Sequence, residues 1–196
     1  DNEAFGDDTI PILFADTNLE ACAQTTLSLS ATQFVTRGAA KTVTNMECEN
    51  KQITLLEGLE FFTELTDFAA QDNLINADAS LAPLAKLTRL DLSNNKFGSA
   101  RLTTVPGLVG LTGLDLCAQL FATPFGDVPG ITTLGFVESL VNLETLRLCD
   151  NAVDDLTSLT GLVELQTLVL FNNNISDLSP LVANTGLGTG DTLDIK

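Results

Sequence analysis

Residues 87–95 read LTRLDLSNN, residues 143–151 read LETLRLCDN, and residues 165–173 read LQTLVLFNN. The shared pattern is L-x-x-L-x-L-x-x-N. Laid end to end, the units that carry it run over 43–64, 65–86, 87–110, 111–142, 143–164 and 165–190. Three are 22 residues long and the others are 24, 32 and 26, so insertions are present. Alternation within L-x-L is strand logic: Leu90 and Leu92 face one way, while Arg89, Asp91 and Ser93 face the other. One unit cannot bury its own leucines, whereas stacked units share a continuous core. Successive strands then lie parallel at about 4.8 Å spacing. Later in each unit comes a second apolar set, as in Ile175-Ser-Asp-Leu178-Ser-Pro-Leu181. Its spacing of three predicts short 3₁₀ turns on the opposite, convex side. The turn residues Asn73, Asn95, Asn151 and Asn173 recur at a core-facing place. A buried amide there satisfies backbone groups where the strand bends away.

This pattern is the signature of a leucine-rich repeat. The expected fold is an α/β solenoid: a leucine-rich repeat horseshoe with a parallel concave β-sheet, short 3₁₀ turns on the convex side and an N-terminal helical cap. Residues 1–42 are assigned to the cap. Residues 43–196 hold about six coils and the start of a seventh, with an insertion near 120–133. Over nearly its whole length the chain resembles the bacterial extracellular leucine-rich repeat proteins, the group that includes internalins. Phe14-Ala-Asp-Thr-Asn-Leu-Glu-Ala21 is similar to the start of their helical cap, and Asn173-Asn-Ile-Ser-Asp-Leu-Ser-Pro-Leu181 to their repeat segment. Asn184-Thr-Gly-Leu-Gly-Thr-Gly-Asp-Thr-Leu-Asp-Ile195 is similar to the lead into a last coil. The chain departs from the pattern at Lys51 and Gln119, which stand where asparagine is usual. The resemblance implies an extracellular or cell-surface location and a binding role.

The net charge is −17, with 26 acidic residues against 9 basic ones and no histidine. Nucleic-acid binding needs a basic stripe, so this balance argues against it. It also opposes adhesion to anionic membranes, and no run of 18 apolar residues is long enough to span one. Histidine-based triads and histidine metal sites are excluded. With no Trp or Tyr, only Arg and Phe remain as hot-spot residues. The acidic N-terminus has no basic segment before an apolar stretch, so any signal peptide is expected to have been removed. The chain stops one strand into a new coil, which predicts further protein beyond it or an edge protected in another way.

Four cysteines allow three pairings. Asp16 can cap a helix that carries Leu19, Cys22, Ala23 and Leu27 on one face. Cys48 takes the second strand-leucine place of the first coil, so it points into the core under that helix. Position therefore favours Cys22–Cys48. Cys117 and Cys149 each follow L-x-L in what become adjacent coils if the 32-residue unit is one coil with a bulge. Their Cα atoms would lie about 4.8 Å apart, inside the disulfide window. Two free thiols are the alternative for Cys117 and Cys149, and the extracellular resemblance favours bonds.

The outward strand positions form a candidate binding face. They are Asn45, Glu47 and Glu49; Asp67, Ala69 and Gln71; Arg89, Asp91 and Ser93; Gly113, Asp115 and Cys117; Thr145, Arg147 and Cys149; Thr167, Val169 and Phe171. The first four coils are acidic. The last two place Arg147 beside Val169 and Phe171, an apolar pair expected to be exposed; the alternatives are that Phe171 folds onto a neighbouring coil or that Val169 is simply a good strand former. The candidate ligand-binding residues are Arg147, Val169, Phe171, Thr145, Thr167, Arg89, Asp91 and Asp115. No cofactor is expected. Ca²⁺ between Asp91 and Asp115 is allowed, but there is no D-x-D-x-D-G loop, and the same acids fit a ladder with Arg89 and Arg147. The insertion LFATPFGDVPGITT carries Phe121 and Phe125 as apolar anchors and either covers the core at Gln119 or projects as a binding element.

These features predict a secreted or surface-displayed module that recognises an extracellular protein or glycan through its concave face. The alternative is a structural spacer that presents other domains and has no ligand of its own. The chain is expected to be a monomer or part of a larger chain. Catalysis is not expected, because the acids lie on an open ladder with no pocket to raise one pKa.

Overall fold

The computed structural model describes residues 7–119, 121–123, 126–128 and 130–196. The first core residue of each L-x-L pair and its two neighbours become a three-residue strand: β1 (Asn45–Glu47), β2 (Asp67–Ala69), β3 (Arg89–Asp91) and β4 (Gly113–Asp115). In the 32-residue unit a hairpin of β5 (Phe121–Thr123) and β6 (Gly126–Val128) follows. The solenoid then resumes with β7 (Thr145–Arg147), β8 (Thr167–Val169) and β9 (Thr192–Asp194). Seven of these strands make one parallel sheet in the order β1-β2-β3-β4-β7-β8-β9. The central residues Met46, Phe68, Leu90, Leu114, Leu146 and Leu168 stand in register and are at most 2% exposed. They are the sheet's contribution to one continuous core. At the β9 edge the equivalent Leu193 is 45% exposed.

The 24-residue third coil adds a 3₁₀ turn at Ser99–Arg101 that buries no residue; otherwise the convex side has one 3₁₀ turn per coil, at Leu59–Phe61, Ala79–Leu81, Val105–Gly107, Gly135–Val137 and Thr157–Leu159. Each buries an apolar residue against the core, as Leu59, Leu81 and Leu159 do. The sixth coil, whose spacing of three was the model for these turns, differs. It forms a short α-helix over Ser179–Ala183, closed by an i→i−4 bond from Val182 N–H to the Leu178 carbonyl. Pro180 sits in its first turn, where no N–H is needed and φ is already helical.

Buried amides hold adjacent coils together. Asn95 donates from Nδ2 to the carbonyls of Ala70 (2.9 Å) and Leu92 (3.0 Å), and its Oδ1 accepts from Ile75 N–H (2.9 Å). Asn73, Asn151 and Asn173 repeat this bridge. Gln119, the departure in the fourth coil, does the same work. It donates to Leu92 O (2.7 Å) and accepts from Phe97 N–H (3.1 Å). The insertion is therefore not needed to cover an unsatisfied site at Gln119. It leaves at that residue and returns at Gly130, which lies so close that a Cβ there would meet the Gln119 carbonyl oxygen at 2.5 Å. Ile131 then re-enters the core. Phe125, read as one of the loop's anchors, lies outside the described residues.

The cap is a helix over Thr17–Thr26 with Asp16 as its N-cap. One carboxylate oxygen accepts from the amides of Asn18 (2.8 Å) and Leu19 (3.3 Å). The other accepts from Thr54 N–H (2.7 Å), Thr54 Oγ1 (2.8 Å) and Leu55 N–H (3.3 Å) in the first coil. One buried side chain thus ends the helix and ties it to the solenoid. The Cys22–Cys48 disulfide spans the same junction, with Cα atoms 5.7 Å apart. Cys117–Cys149 is also formed, with Cα atoms 4.5 Å apart on neighbouring coils. Both pairings favoured by position are present.

Candidate functional site

Parallel register turns the outward residues of the sheet into columns. The first runs Asn45, Asp67, Arg89, Gly113, Thr145, Thr167; the second runs Glu47, Ala69, Asp91, Asp115, Arg147, Val169. Beyond the strands a third column continues through Cys117 and Cys149 to Phe171. Ala69 and Gly113 contribute almost no side chain. A groove of about 450 Å³ therefore opens over the first five coils. Its lining includes Glu47, Asp67, Asp91, Asp115 and Glu144, with Arg89 as the single cation.

Some of this charge is internally paired. Arg89 bonds Asp67 on the preceding strand, and Arg147 Nε bonds Asp115 Oδ2 at 2.8 Å. Asp91 accepts from the amide (2.9 Å) and hydroxyl (2.6 Å) of Ser93. Burial pushes the Asp115 carboxyl above the usual carboxylate range, and the neighbouring Asp91 adds to this. The Cys117 amide and the Arg147 guanidinium pull the other way without prevailing. Of the ladder expected among Asp91, Asp115, Arg89 and Arg147, only the Arg147–Asp115 rung forms; Arg89 turns to Asp67 instead, and Asp91 bonds Ser93. Among the described residues, no three acids or cysteines converge in an arrangement that could hold a metal ion.

The C-terminal half of the face is apolar in a way the sequence reading missed in part. Val169, expected beside Phe171 as an exposed pair, is only 6% exposed. It packs with Cys117, Cys149 and the partly buried Phe171 as a small cluster on the solvent side of the sheet, separate from the main core. The disulfide is the physical reason: it replaces two polar outward positions with an apolar bridge on which Phe171 and Val169 settle. Phe171, Arg147, Thr145 and Thr167 keep access to solvent.

Of the candidate ligand residues, Arg89, Asp91, Asp115 and Thr145 line the groove; Arg147, Thr167, Val169 and Phe171 lie beyond it. Thr112 and Glu144 also line it and were not singled out by strand alternation. They occupy the position just before each strand. Here Thr66, Thr88 and Thr112 donate their hydroxyls to carbonyls of the preceding coil (2.9, 3.1 and 3.3 Å). The recurrence of threonine ahead of the strand triplet was the available signal.

A family model described as leucine-rich repeats in two copies matches residues 141–183, and a single leucine-rich repeat model matches 86–109. No curated protein matches the chain. Among solved structures, an internalin (inlF) from Listeria monocytogenes superposes with a TM-score of 0.81 at 23% identity, covering 91% of this chain and 51% of that one. Internalin C2 from the same species gives a TM-score of 0.69 at 28% identity, covering 91% and 87%. The functional domain of InlJ from Listeria monocytogenes, which includes a cysteine ladder, gives 0.63 at 23% identity, covering 84% and 38%. This chain spans about half the length of the inlF chain. The repeat pattern, the seven-stranded open sheet and these likenesses agree: the chain has a leucine-rich repeat fold like that of the internalins.

Proposed function

We propose that the chain is the recognition module of a secreted or surface-displayed bacterial protein, and that it binds an extracellular protein partner on its concave face. The observation that supports this most is the sheet face itself. Among the described residues, no helix or turn of the chain covers it, and it carries a groove of about 450 Å³ beside an apolar cluster. A preformed rigid surface with polar and apolar parts is what protein recognition needs. Two disulfides and the internalin-like fold support an oxidising, extracellular setting. The expectation that no pocket raises a carboxyl pKa is corrected at Asp115, which lines the groove and is raised by burial. Both carboxylates are nonetheless engaged, Asp91 by Ser93 and Asp115 by the Cys117 amide and Arg147, which supports binding over hydrolysis.

The test is a panel of extracellular proteins and a glycan array, screened with the wild type, Arg147→Glu/Phe171→Ala and Gly113→Val. A valine at 113 fills the groove, and its Cβ meets only Arg89 Cγ at an ordinary 3.5 Å. The expected result is a protein hit weakened at least about tenfold by both variants, each still fully folded at the assay temperature by circular dichroism. A glycan hit with the same dependence would change the ligand class. A screen with no hit would favour the spacer reading.

A further inference from the structure

The concave face is divided along the stacking direction into two chemistries, and the division selects a partner. Toward the N-terminal coils, five carboxylates and one guanidinium line the groove. Toward the C-terminal coils, Phe171 lies partly exposed on the Cys117–Cys149 disulfide and Val169. We infer that the occupant of this face is an extended protein segment in which Lys or Arg side chains enter the groove at Asp91 and its neighbours Glu47 and Glu144 while an apolar side chain rests on Phe171. This rests on the binding reading above and names the chemistry of its partner.

Charge complementarity carries the first half. Arg89 and Arg147 neutralise Asp67 and Asp115 one to one, which leaves Glu47, Asp91 and Glu144 without an ion pair among the described residues. An acidic or phosphorylated segment would meet like charge, and a neutral one would gain nothing from the groove walls. Cationic side chains gain from both, with little ordering cost on the protein side because the strands are already fixed. The apolar cluster carries the second half. It is outside the main core, so it contributes least to the fold and is rigid through a covalent bond. A fixed apolar platform of this kind is what a hot spot requires.

Register gives the spacing. Asp91 and Phe171 lie three strand steps apart, roughly 14 Å, with a further offset of two residues along the strand. An extended segment covers that span in about four to five residues. The expected motif is therefore a basic pair followed, or preceded, by an aromatic or aliphatic residue about four or five positions away.

The experiment selects a displayed library of random twelve-residue peptides on the full disulfide-bonded chain and ranks the enriched sequences. Binding of the leading synthetic peptides is then measured against four variants. Glu47→Gln/Glu144→Gln removes two exposed groove-rim charges and leaves every ion pair in place. Asp91→Asn/Asp115→Asn removes the central pair, and Phe171→Ala removes the platform. Asp154→Asn/Glu164→Gln removes the same charge from exposed sites outside the groove. We expect basic–apolar motifs, an affinity loss of at least about fivefold in each of the first three, and less than about twofold in the last. Enrichment of acidic or neutral peptides that still depend on Phe171 would overturn this inference and leave concave-face binding intact. Peptides whose affinity follows net charge alone, falling equally in all three charge variants and not in Phe171→Ala, would overturn it as a site. Peptides indifferent to every variant would overturn both readings.

Discussion

Asp16 and Asp115 are both buried in part, yet the fold moves them in opposite directions. At Asp16, burial works to raise the pKa, but hydrogen bonds from Thr54, Asn18 and Leu19 together outweigh it and hold the carboxyl below its usual value of 3.8. A lowered folded pKa means that the contribution is present above about pH 4 and is lost as pH falls through the folded value. The cap junction is thus one point at which acid weakens the fold. Asp16→Ala leaves the helix N-terminus and two first-coil amides unsatisfied, and is expected to cost about 2–4 kcal/mol in denaturant unfolding at pH 7. At Asp115 burial wins and the pKa is raised. Its contribution is present below about pH 4 and lost as pH rises through the folded value. Asp115→Asn is therefore expected to be neutral or slightly stabilising at pH 7 and indistinguishable from wild type near pH 3, when unfolding is followed against pH. Ala118 illustrates a different residue-scale conflict. Asn50, Asp72, Asn94, Asp150 and Asn172 occupy the left-handed turn at the end of their strands with φ of 51–58°, and Ala118 does so at 56° without a side chain suited to it. Ala118→Gly should raise stability by about 0.5–1 kcal/mol, because the steric penalty exceeds the added chain entropy.

At the scale of elements, strand alternation and the asparagine period were legible from the sequence because a buried L-x-L and a bridging amide recur on every coil. Gln119 was legible only as a departure. The structure shows that its extra methylene reaches the same partners as asparagine does from the start of a ten-residue insertion. Gln119→Asn should strand the Phe97 amide and cost about 1–2 kcal/mol by chemical denaturation. The hairpin of β5 and β6 was not legible, since Phe121–Thr123 and Gly126–Val128 lack a recurring partner coil to fix their period. The helical turn at Ser179–Ala183 escaped for a related reason: a spacing of three serves a 3₁₀ turn and a single α-turn equally. The two disulfides were legible because Cys48, Cys117 and Cys149 hold repeat positions and Cys22 lies on the apolar face of the cap helix. Removing Cys22–Cys48 as a serine pair opens a loop of 26 residues and should cost about 3–4 kcal/mol, seen as a melting temperature lower by roughly 6–12 °C.

For the whole molecule, a solenoid distributes stability over neighbouring coils, so a net charge of −17 acts along its entire length. Raising ionic strength shortens the Debye length from about 30 Å at 0.01 M to about 3 Å at 1 M. Melting temperature should therefore rise by a few degrees with NaCl. The candidate face follows from the same repeat logic, which is why Arg89, Asp91, Asp115 and Thr145 could be placed on it from the sequence. Val169 could not be placed correctly, because its burial depends on a disulfide between two other coils and on Phe171 settling over it. The central claim is that recognition uses the concave sheet. Amide hydrogen exchange on the chain, alone and bound to the protein or peptide captured in the screens, tests this most directly. The account predicts slowed exchange at the strand ends and turns bordering the groove, around 45–50, 67–72, 89–94, 113–118 and 145–150. Slowing confined to the convex turns at Ala79–Leu81, Val105–Gly107 and Gly135–Val137, with the strands unchanged, would contradict it.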